Sequence, residues 1–85
     1  MKVEIQIPEY SPERGLRVQW HVESIFSVHI DNDEVVIKAN TEGLSSFAQN
    51  LLTLAQPQVP TPNHVHFGEF DGLEEGSNEL IIEKI

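Results

Sequence analysis

Asn40-Thr41-Glu42-Gly43-Leu44-Ser45-Ser46-Phe47-Ala48-Gln49-Asn50-Leu51-Leu52-Thr53-Leu54-Ala55-Gln56-Pro57 is the one stretch of this chain with a helical period. Asn40 or Thr41 can cap the first turn, and Glu42 suits the positive end of the helix dipole. Leu44, Phe47, Ala48, Leu51, Leu52 and Ala55 recur at helical spacing, and Pro57 stops the run. A helix from about Thr41 to Gln56 follows. Its apolar stripe is expected to cover a sheet, with Ser45, Ser46, Gln49, Asn50 and Thr53 mostly on the opposite face.

Outward from the helix, every other segment alternates with a period of two. On the C-terminal side, Pro57, Pro60 and Pro62 make an extended loop. His64 to Phe70 then reads as a strand, with Val65 and Phe67 on one side and His64 and His66 on the other. Turn chemistry follows at Asp71-Gly72 and at Leu73-Glu74-Glu75-Gly76-Ser77-Asn78. Glu79 to Ile85 closes the chain as a strand, and Leu80-Ile81-Ile82 puts apolar groups on both its faces, which predicts a place inside the sheet.

On the N-terminal side, Ile25–Ile30 and Glu34–Ala39 form a hairpin around Asp31-Asn32-Asp33. Leu16, Val18, Trp20 and Val22 alternate with polar residues, and the phase shifts at Ser24-Ile25. One long bent strand is the favoured reading, with two strands and a tight break as its alternative. Val3, Ile5 and Ile7 mark a first half-buried strand that ends at Pro8. The order β-β-β-α-β-β predicts an α+β fold, an antiparallel sheet of about five strands with one helix on one face. Residues 1–85 form a single domain.

The composition excludes several function classes. The chain has no cysteine, and so no disulfide, thiolate metal site or cysteine nucleophile. The start, Met1-Lys2-Val3-Glu4-Ile5, lacks the pattern of a signal peptide, and no apolar run approaches a membrane span. A small domain without disulfides is expected to be cytoplasmic. Fourteen acids against five bases give a net charge of −9, which repels nucleic acid and anionic membranes and attracts a cationic partner. No phosphate loop or cofactor motif is present, and no spacing marks a catalytic triad.

Two features carry candidate chemistry. His64 and His66 point the same way on a strand and could reach one metal, with Glu69 or Asp71 adding oxygen ligands. No third histidine follows, so two polar strand positions are the simpler account. Six acids, Glu69, Asp71, Glu74, Glu75, Glu79 and Glu83, meet only Lys84 as a base. They form either a solvated rim or a partner-binding surface. Trp20 falls on an apolar phase and is expected in the core, its indole N–H bonded to backbone or water, with a partner-facing hot spot as the alternative.

Asn40-Thr41-Glu42-Gly43-Leu44, Leu51-Leu52-x-Leu54-Ala55, His64-x-His66 and Gly76-Ser77-x-x-Leu80-Ile81-Ile82 occur here in one order. Together they resemble the immunity protein 32 family of bacterial polymorphic toxin systems, over Val36 to Ile82. The resemblance implies a cytoplasmic antidote that binds and blocks a toxin domain made by the same bacterium. It implies no enzymatic activity and no cofactor, and it gives the acidic surface a use against a basic partner, such as a nuclease. His64, His66 and Ser77 match motif positions, as contacts either to toxin or within the fold. A small metal-dependent enzyme using His64 and His66 is the first rival reading. The second is a structural oligomerisation module, a homodimer for instance, that exposes Val3, Ile5 and Ile7.

Overall fold

A computed structural model describes all 85 residues, Met1–Ile85. The elements are β1 (Phe26–Asp31), β2 (Glu34–Ala39), α1 (Thr41–Leu54), β3 (Asn63–Phe67), a 3-10 turn at Glu69–Asp71, and β4 (Leu80–Lys84). The class is α+β with one helix. The strands form two antiparallel pairs, β1–β2 and β3–β4, in place of the single five-stranded sheet expected.

The β1–β2 hairpin follows from its turn. Asn32 and Asp33 both take positive φ, 50° and 64°, and Asp31 pairs with Glu34. This two-residue geometry matches the right-handed twist of the strands, and Asn and Asp tolerate it better than most residues. Phe26 and Val28 point inward and are buried.

Residues 1–25 form no strand. The predicted alternation survives in phase, since Leu16, Val18 and Trp20 are half-buried while Arg17, Gln19 and His21 are exposed. What is missing is a partner strand. The chain turns at His21–Ser24, where the Ser24 amide donates to the His21 carbonyl, so the tight break replaces the favoured long strand. Val22 lies in that turn and is 93% exposed.

Side chains of α1 take the place of a ladder. The amide of His21 donates to Ser46 Oγ and that of Gln19 to Asn50 Oδ1, each at 2.9 Å. Four helical residues advance about 6.0 Å and two extended residues about 6.6 Å, so the two spacings match. Gln49 Nε2 donates to the Gln6 carbonyl, and Gln56 receives the Tyr10 amide and donates to the Pro8 carbonyl.

The helix stripe is therefore not the expected one. Ser46, Asn50 and Thr53 are 5% exposed or less, whereas Leu44 and Leu52 are 57% and 48% exposed. Ser46 and Asn50 serve amides of the N-terminal segment, which no strand satisfies, while the Thr53 hydroxyl donates to the Gln49 carbonyl within the helix. The helix ends at Leu54, two residues short of the predicted limit.

Four aromatic rings from four segments close the core. Trp20 packs on Phe26 at 5.1 Å and on Phe67 at 5.8 Å. Phe47 completes the circle, 4.8 Å from Phe26 and 5.6 Å from Phe67. Trp20 thus packs with the core, and its Nε1 has no protein partner. Its indole lies against Gly72, where a Cβ would overlap the ring. Val28, Leu54, Val59, Val65 and Leu73 complete the buried apolar set with Phe26 and Phe67.

Candidate functional site

The strand β3 ends at Phe67, three residues before the predicted limit. Gly68 turns the chain, its carbonyl receiving the amides of Asp71 and Leu73, and Gly72 follows with φ of 102°. The segment that comes next, Glu74 to Asn78, runs along the free edge of β1. Glu74 N–H donates to the Phe26 carbonyl, and Asn78 N–H to the Val28 carbonyl. The amide of Val28 donates to Ser77 Oγ and that of Ile30 to Asn78 Oδ1, both at 3.3 Å. This segment occupies the edge where another strand would have joined the two sheets. Ser77 accordingly has a role in the fold.

Antiparallel register sorts the remaining candidates by face. His64 pairs with Glu83, and His66 with Ile81. These four residues occupy the outward face of β3–β4, since Val65 and Phe67 are buried on the other. Because β4 has a partner on one side only and shows this face to solvent, Ile81 is 53% exposed, not enclosed within a sheet.

The imidazoles of His64 and His66 are 4.8 Å apart between centroids. Nδ1 of His66 lies 2.7 Å from Glu79 Oε1, and both side chains are about half exposed. No three His, Asp or Glu side chains gather closely enough to hold a metal ion.

Among the acids, Glu69, Asp71 and Glu79 line one shallow hollow with Gly68, Phe70 and Ser77. Glu69 Oε1 also accepts the Gly76 amide at 2.9 Å, which pins it beside Glu75. Glu83 stands apart from that hollow, opposite His64. Glu74 and Glu75 are exposed on the segment that borders β1.

Lys84, the one base among these acids in sequence, points away from them. It shares the inward phase of Leu80 and Ile82, and its Nζ donates to the carbonyls of Gln56 and Val59 at 2.8 and 2.9 Å. Glu69, Asp71 and Glu79 thus gather at the hollow and Glu83 lies opposite His64, while Lys84, the base nearest them in sequence, is turned inward.

The sequence reading missed Asn40 as a tertiary clamp and Gly43 as a contact point. Asn40 Oδ1 receives the amides of Gly43 and Ile25, and its Nδ2 donates to the Glu23 carbonyl. A Cβ on Gly43 would overlap the Ile25 carbonyl. A glycine in the first turn of a helix, where it lowers helix propensity, is the signal that could have pointed to this close approach.

The motif residues Asn40, Gly43 and Ser77 therefore specify how this domain is assembled. The sequence model of immunity protein 32 matches residues 34–85, which takes in β2, α1, β3, the edge segment and β4. No curated protein and no solved structure matches the chain. With more than half of its length covered, including every element after the first hairpin strand, the chain belongs to the immunity protein 32 family.

Proposed function

We propose that this protein binds and masks the toxin domain of a bacterial polymorphic toxin system, and so protects the cell that makes both. Membership of an immunity-protein family is the observation that carries the reading. Such proteins act by binding, so no catalytic constellation is needed. No helix is long and apolar enough to cross a membrane, and the proposed place of action is the cytoplasm.

The proposed contact surface includes Glu69, Asp71, Glu74, Glu75, Glu79 and Glu83. Its support is the net charge of −9 and the withdrawal of Lys84 from the acid face. The cognate toxin then presents a basic surface. A nuclease is the proposed target, because a site built for phosphates is itself basic.

The test is stopped-flow association with the product of the neighbouring toxin gene. Glu74→Lys/Glu75→Lys should slow association about tenfold, and added salt should slow the unaltered protein in the same way. Tight binding indifferent to both would remove the acids from the interface. No binding at all would remove the immunity reading.

A further inference from the structure

The core-facing side of the β1–β2 hairpin is only half covered. Register places Phe26 opposite Ala39, Val28 opposite Ile37 and Ile30 opposite Val35. Residues directly opposite share a face, so all six form one apolar surface. Its base is buried, with Phe26 and Val28 at 0% and 2% exposure. Its distal end is bare: Ile30 is 62%, Val35 63% and Ile37 41% exposed. Three β-branched residues thus continue the core out into solvent.

We infer that this bare end is the anchor of the toxin interface, taking an apolar patch on the toxin that is ringed by basic groups. The inference rests on the proposed immunity function and deepens it. Acids border the apolar centre on two sides. Asp31, Asp33 and Glu34 stand at the hairpin tip, and Glu74 and Glu75 lie on the segment along the β1 edge. An apolar centre within a charged rim is the usual anatomy of a specific interface, where the centre holds and the rim steers.

Charge decides between occupants. A second copy would set its own acidic tip against this one, each chain with a net charge of −9, whereas a cationic partner gains from the same rim.

The test is Ile30→Thr/Val35→Thr, which removes methyl groups at exposed sites, keeps β-branching, and is checked for unaltered thermal unfolding. Binding to the neighbouring toxin gene product should weaken roughly 100-fold, through faster dissociation at an unchanged association rate. Glu74→Lys/Glu75→Lys should do the reverse and alter chiefly association. Unchanged dissociation of the Thr variant from a toxin that the unaltered chain binds tightly would overturn the anchor and leave the immunity function standing. Failure of the unaltered chain to bind would overturn both. A dimer of this chain that the same substitutions dissociate would give the face to a second copy and overturn the inference too.

Discussion

Ser46 Oγ accepts the backbone N–H of His21 at 2.9 Å, from a position on α1 that a hydrophobicity pattern assigns to solvent. One turn later Asn50 does the same for Gln19. The helix therefore acts as a strand surrogate. It offers side-chain acceptors at the spacing of alternate amides, and the first 25 residues lie along it without a ladder of their own.

If these bonds hold the N-terminal segment, Ser46→Ala should release the His21 amide to solvent. Hydrogen exchange at His21 should rise well above that at Val28, whose amide is held by Ser77. The whole domain should lose about 1 kcal/mol, the usual net contribution of one such hydrogen bond. Unchanged protection at His21 would show that the segment is held by other means.

Asn40 combines a helix cap with two tertiary bonds, to the Ile25 amide and the Glu23 carbonyl. Asn40→Ala should cost about 2–3 kcal/mol in urea unfolding, more than a cap alone. Asn40→Asp keeps the acceptor and loses the donor, so its deficit should be smaller. Equal losses would show that the Glu23 bond governs the site.

Gly72 and Gly76 both take positive φ, 102° and 87°, but only Gly72 faces an obstacle. Gly76→Ala should cost on the order of 1 kcal/mol from backbone strain. Gly72→Ala should cost clearly more and should shift the tryptophan fluorescence, since the new methyl displaces Trp20. Equal effects would contradict the packing of the indole on Gly72.

Glu79→Gln tests the opposite expectation. The His66–Glu79 pair is short, yet both side chains are about half exposed, so stability should change by less than about 0.5 kcal/mol. A larger loss would mean that the pair is a structural support of β3–β4.

What the sequence made legible was local. Asn32 and Asp33 announced the hairpin turn, and Asn40 with Pro57 bounded the helix to within two residues. His64 and His66 fell on the outward phase as the alternation required. The errors concern partners. Period-two alternation at Leu16–Trp20 reports which side chains face the core, but it cannot report whether the amides meet another strand or Ser46 and Asn50. For the same reason the buried polar residues of α1 looked like a solvent face. The turn at Gly68 broke the predicted strand to Phe70, and the segment Glu74–Asn78 took the edge of β1, so one expected sheet became two. The acids were visible as a list, while the withdrawal of Lys84 from their face could be seen only in three dimensions.

The central claim is that this chain neutralises a toxin by binding it, and neutralisation by titration tests it most directly. The product of the neighbouring toxin gene is assayed for its own activity while purified immunity protein is added in steps. Activity should fall linearly to zero at one equivalent, with affinity on the order of nanomolar or better at low salt. Full toxin activity in a tenfold excess of the folded protein would contradict it.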